Sequence, residues 1–141
     1  MTFSPAAADT LITFFRDTET TAEDYDIIFT GDLGSVGTDL LYELMSREDY
    51  DIRCRHSDCG MMIYDLEKQD VHAGGSGCGC SASVLATYVL PRLISGEYEN
   101  ILFLSTGALM SPSSILQGQN ILGIAPVINI RSKNKKGEQM K

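Results

Sequence analysis

Residues 72–83, HAGGSGCGCSAS, put four glycines, two cysteines and three serines into twelve positions. Glycine weakens the interior of a helix or strand because it loses the most conformational freedom on folding. The stretch therefore reads as a turn, with a helix able to start only near its end. Such a turn suits a metal, a nucleophile, a phosphate, or a backbone that must come very close to something else.

The segments around it alternate in type. SPAAADTLITFFRD predicts a first helix, with Ser4 as its cap, Pro5 at its first position and Leu11, Ile12, Phe14 and Phe15 as its apolar face. YDIIFTGD is a short apolar run ending at Gly31-Asp32, which fits a buried strand. Leu40, Leu41, Leu44 and Met45 mark a second helix, and YDIRCRH reads as a short edge strand. Residues 57–75 are polar and rich in turn formers, with no clear period, and DCG at Asp58–Gly60 reads as a structural turn. SVLATYVL has a helical apolar face that Pro91 is expected to kink or end. ENILFLSTGA and APVINI are the last two strands. Met45, Met61, Met62 and Met110 suit core filling. The alternation predicts a layered α/β fold with a mixed central sheet and a buried helix after the Gly/Cys-rich turn.

Three segments end in small residues with polar tips: Thr30-Gly31-Asp32, Gly77-Cys78-Gly79-Cys80 and Thr106-Gly107-Ala108. Ligands in open α/β sheets sit just beyond strand ends, so these three are expected to converge on one site. Several chemistries can be weighed there. No lysine follows the glycines, so a phosphate-binding P-loop is not matched, and neither is the dinucleotide fingerprint. Four thiolates from Cys54, Cys59, Cys78 and Cys80, with His56 and His72 close in sequence, would suit zinc. However, Cys-x-Cys lacks the usual spacer, so no stoichiometric zinc and no cofactor are expected. Cys78 or Cys80 at a helix N-terminus would gain nucleophilicity, with His56 or His72 as the candidate base.

Charge and length set outer limits. With 141 residues and 43% hydrophobic content, the chain is one domain's worth of soluble protein. A net charge of −8 argues against a nucleic-acid partner. Five of the eleven basic residues (Arg131, Lys133, Lys135, Lys136 and Lys141) lie in the last eleven positions. We read 1–130 as the domain and 131–141 as a basic, solvated tail, able to act as a foot on an anionic membrane or an acidic partner. There is no signal-like N-terminus and no apolar run of membrane-spanning length, and four cysteines without a signal imply a reducing compartment.

The blocks YDIIFTGDLGSVGTDLL, DCGMMIYD, QDVHAGGSGCGCSASVLA and LFLSTGALMSPSS…QG resemble, in order, the signature blocks of the stage V sporulation protein AD family, from about Pro5 to Ile130. That resemblance implies a thiolase-like fold, a duplicated pair of α/β halves, of which this chain would be the C-terminal one. The N-terminal half, which carries the nucleophilic cysteine in thiolase-like enzymes, would lie outside it. It further implies a non-catalytic component that binds dipicolinic acid, with or without calcium. Such a component would work with membrane proteins of its operon, at the cytoplasmic side or periphery of the forespore membrane.

Laid on the related ketoacyl synthases, the place of the catalytic histidine falls at Gly31 and that of the asparagine at Cys78, so neither thiolytic nor condensing activity is expected. The ligand-binding residues implied are Gly31, Asp32, His72, Gly75, Ser76, Cys78, Cys80 and Ser81, with helix N-terminal amides facing a carboxylate. Asp32 is the exception beside an anion. It could bridge through calcium, donate when protonated, or cap the helix that begins near Leu33. A cysteine-dependent acyltransferase using Cys78 or Cys80 with His72, and a purely structural half that docks a partner, are the alternatives. In a lone half, the helix around Ser81 to Leu90 would lack cover over Val84, Leu85, Tyr88 and Val89. Pairing with itself or with an N-terminal half is therefore expected.

Overall fold

The computed structural model describes residues 3–109, 112–118 and 122–133. Its elements run α1 (Ser4–Thr18), β1 (Ile27–Thr30), α2 (Gly34–Ser46), β2 (His56–Asp58), α3 (Cys59–Met62), α4 (Cys80–Val84), a π-helical turn (Leu85–Val89), α5 (Leu90–Ser95), β3 (Asn100–Leu104), β4 (Gly107–Leu109), α6 (Pro112–Leu116), β5 (Leu122–Ile124) and β6 (Val127–Arg131). Four strands form one sheet in the order β2-β1-β3-β6, and β4 pairs with β5 separately. β1 runs parallel to both β2 and β3, while β6 is antiparallel to β3, so the sheet is mixed.

Alternation along β1 and β3 builds a core on each face of this sheet. Ile28, Leu102 and Leu104 face α1 and α2, where they meet Leu11, Phe15, Leu41 and Met45. Phe29, Ile101 and Phe103 face the other way, onto Cys59, Cys80, Val84, Val89 and Leu93. Both faces are covered, which is why IIFT and NILFL read as continuous apolar runs rather than alternating ones. The result is the layered α/β architecture that the alternation of elements predicts.

Several local expectations are corrected. Ser4 does not cap α1. It is fully buried, and its hydroxyl donates to the Gly37 carbonyl of α2 at 2.7 Å. Residues 50–55 are not strand: Arg53–Arg55 form a 3-10 turn, and only His56–Asp58 join the sheet edge. Pro91 neither ends its helix nor stands in an ordinary one. The π-helical turn before it shifts the bonding by one residue, so that Leu90 N–H donates to the Leu85 carbonyl. Helix then continues to Ser95 and stops at Gly96 with φ 80°. Arg131, assigned to the tail, is the last residue of β6 and lies opposite Asn100. Residues 134–141, and Met110, lie outside the described residues.

The helix after the glycine-rich turn is less bare than a lone half suggests. Val84 and Val89 are buried, and Leu85 and Tyr88 pack against the same cluster. The exposed large apolar side chains on this run are Leu90 and Ile94 instead.

Candidate functional site

The three small-residue segments do converge, and the carboxylate of Asp32 is where they meet. Thr106 Oγ1 donates to Asp32 Oδ1 at 2.9 Å and in return accepts from the Asp32 N–H at 3.0 Å. Ser76 Oγ and the Gly77 N–H both donate to Asp32 Oδ2, at 2.7 and 3.0 Å. One side chain at the end of β1 thus ties the chain just beyond β3 to the glycine-rich turn. Charge-assisted bonds of this kind are stronger than neutral ones. Three groups are thus gathered on the two oxygens of this one side chain.

Asp32 does not cap α2 either. That role falls to Asp58, at the end of β2, whose two oxygens each accept a backbone N–H, from Leu33 and Gly34, at 3.0 Å. Asp58 also accepts from Thr30 Oγ1 at 2.6 Å. It is buried, and burial pushes its carboxyl pKa upward against the lowering effect of these hydrogen bonds. Behind it runs a polar chain. Thr30 spends its proton on Asp58, so His56 Nε2 must be the N–H donor across the 2.9 Å to Thr30 Oγ1. A neutral imidazole with Nε2–H leaves Nδ1 as acceptor, and Tyr42 OH donates to it across 2.9 Å. Burial lowers the His56 pKa to about 4, in keeping with this neutral form.

Glycine positions set how tightly these parts close. A Cβ at Gly31 would fall 2.8 Å from the Thr106 backbone nitrogen and closer still to its Oγ1. No side chain of any kind fits there, a histidine least of all. Gly60 donates to the Gly31 carbonyl at 3.0 Å and accepts from the Gly75 N–H at 2.7 Å, so backbone stacks on backbone. Between the glycine-rich turn and the start of α2 lies a cavity of about 280 Å³. Its walls include Phe3, Leu33 and Val36 on the apolar side, and Asp32, Gly75 and Ser76 on the polar side.

Of the site residues implied at the outset, Gly31, Asp32, Gly75 and Ser76 come together. His72 does not: its side chain is 92% exposed, and its Nδ1 lies 3.9 Å from Asp70 Oδ1. Cys78 is exposed on the turn, and Ser81 is half-buried in the first turn of α4. Cys80 is buried, and burial followed by the charges of Asp32 and Asp58 raises its thiol pKa, the opposite of an activated nucleophile. Cys59 is buried too, its thiol pushed up to about 12, while Cys54 and Cys78 are exposed. Among the described residues, no three His, Cys, Asp or Glu side chains gather as metal ligands. Sequence reasoning placed Thr30 at the strand-end site, weighed His56 only as a zinc ligand or base, and read Asp58–Gly60 as a structural turn, whereas Cys59–Met62 is the short helix α3; it missed Tyr42 and the bonding role of Asp58.

The family model described as Stage V sporulation protein AD (SpoVAD) matches residues 1–131. Stage V sporulation protein AD of Bacillus subtilis (strain 168) is 43% identical over 122 residues, which cover 86% of this chain. The same match covers 36% of that relative, so the chain spans about a third of its length.

Proposed function

The chain belongs to the stage V sporulation protein AD family, and from that membership we propose that it acts in sporulation as a binding component rather than a catalyst. One observation supports the non-catalytic reading: among the described residues, the groups weighed for acyl chemistry do not come together as a nucleophile with a base. The strand-end position at Gly31 has no room for a side chain, Cys80 is a buried thiol with a raised pKa, and His72 points into solvent. His56 is held neutral inside a closed hydrogen-bonded chain.

The ligand in this reading is dipicolinate, a flat ring with two carboxylates, seated in the cavity between Phe3, Leu33 and the Gly75–Ser76 backbone. Asp32 on the polar wall would repel a bare dianion, so the calcium chelate is the form that suits the site. The rest of the machinery, including membrane proteins of the same operon, would supply passage across the forespore membrane. No described helix is long and apolar enough to cross one itself.

Titration calorimetry with dipicolinate, alone and with equimolar calcium, tests this. Saturable one-site binding that is tighter with calcium is expected. Val36→Asp places a charge on an exposed part of the cavity wall and should weaken binding at least about tenfold with little effect on folding. No binding in either buffer, or binding indifferent to Val36→Asp, would remove the dipicolinate reading. Acyl-enzyme on Cys78 or Cys80 by intact mass after incubation with acetyl-CoA would remove the non-catalytic one.

A further inference from the structure

The free edge of the main sheet carries a second surface, whose argument does not depend on any ligand at the strand-end site. β6 closes the order β2-β1-β3-β6, so one side of its backbone bonds β3 and the other meets no strand among the described residues. Edges of this kind are usually blunted by charge, proline or a bulge. Within Val127–Arg131 there is no proline, and the one charge is Arg131 at the very end. Ile128 is opposite Phe103 and Ile130 opposite Ile101, so both face the layer formed by α4 and α5. That layer stops short of the edge. Ile128 is left 52% exposed and Ile94 84% exposed, beside a cavity of about 360 Å³ that Leu90, Ile94 and Ile130 line.

We propose that this edge is a homodimer interface, in which β6 pairs antiparallel with β6 of a second copy about a two-fold axis through Asn129. The register favours a second copy. In that register Ile128 of one chain faces Ile130 of the other, and Val127 faces Arg131, so apolar meets apolar and no like charges lie opposite one another. The two Arg131 side chains fall four strand positions apart, about 14 Å. That exceeds the screening length of about 8 Å at physiological ionic strength, so they do not oppose the pairing. A two-fold axis normal to the sheet keeps α4 and α5 of both copies on the same face. The exposed Ile128, Ile94 and Leu90 of each copy then form one continuous apolar surface, shielded by the opposing strand. Each copy's net charge of −8 resists association at a distance, so added salt should tighten the dimer rather than loosen it.

Sedimentation equilibrium of the chain over micromolar to about 100 µM concentrations tests the assignment. The expected species is a dimer of twice the 15.4 kDa chain mass, with an association constant that rises with salt. Ile128→Lys should weaken it at least about 30-fold, while Ile63→Lys, at an exposed apolar site elsewhere, leaves it unchanged. Far-UV circular dichroism checks that Ile128→Lys still folds. Should it not, Ile94→Lys, on the helix flanking the same edge, decides in its place. A chain that stays monomeric throughout, or a dimer that the deciding lysine variant does not weaken, overturns the proposal.

Discussion

At the scale of single residues, the polar chain from Tyr42 to Asp58 makes an acid-sensitive fold. His56 has an ordinary pKa of 6.5 and a folded value of about 4. Below pH 6.5 the unfolded chain takes up a proton that the folded chain refuses, so stability is lost as pH falls through that window. At about 1.4 kcal/mol per pH unit, the loss approaches roughly 3 kcal/mol near pH 4. Asp58 acts with the opposite sign, because a raised carboxyl pKa favours the folded state as acid neutralises it. His56→Gln separates the two, since glutamine can still donate toward Thr30 and accept from Tyr42 but does not titrate. Urea unfolding at about pH 7 and about pH 4.5 should show that about 2 kcal/mol or more of the acid loss in the native sequence disappears in the variant. Equal acid losses in both would contradict the buried neutral imidazole.

The same residues show where sequence reading reached its limit. Glycines at 31 and 75, and the acid at 32, are informative because small or charged residues at strand ends have few uses. That they share one site with Thr106 followed from the rule on strand ends. Which carboxylate capped α2 did not follow, because Asp32 and Asp58 are alike in type and both sit at strand ends. Only the three-dimensional reach of β2 beside β1 decides it, with Thr30 level with Asp58 in the register.

Among the elements, the two central strands were easy to read, whereas β4, β5, the short reach of β2 and the helix detail were not. IIFT and NILFL are apolar throughout, and burial on both faces of a sheet demands that. Val84, Val89 and Leu93 do not keep a uniform helical spacing. The first two are five apart and the next pair four, and all three are buried. The π-helical turn supplies the extra residue that makes this possible, and it also carries the chain past Pro91. Ser83 and Thr87 add to the distortion by turning their hydroxyls onto carbonyls four residues back, at 2.8 and 2.7 Å. Because the three core side chains fix this register, Pro91→Ala should change unfolding free energy by less than about 1 kcal/mol. An ordinary mid-helix proline costs about 3 kcal/mol. A gain near that larger figure on chemical denaturation would mean that the proline, and not the core, imposes the wide turn.

For the molecule as a whole, Asp32 has a consequence in time as well as in space. Its partners lie 44 and 74 positions along the chain, at Ser76 and Thr106. The bond to Thr106 needs β1 and β3 paired, a slow event for parallel strands, and the bond to Ser76 needs the loop between them closed. The carboxylate therefore fastens a structure already assembled. Its bonds should be absent at the folding barrier and present only on the native side of it. In stopped-flow refolding, Asp32→Asn should leave the folding limb of the chevron nearly unmoved and raise the unfolding rate by about tenfold or more, the kinetic equivalent of about 1.4 kcal/mol. A slowed folding limb would instead place this clasp in the nucleus. If the limbs behave as expected, Asp32 sets how long a folded molecule lasts rather than how quickly one is made.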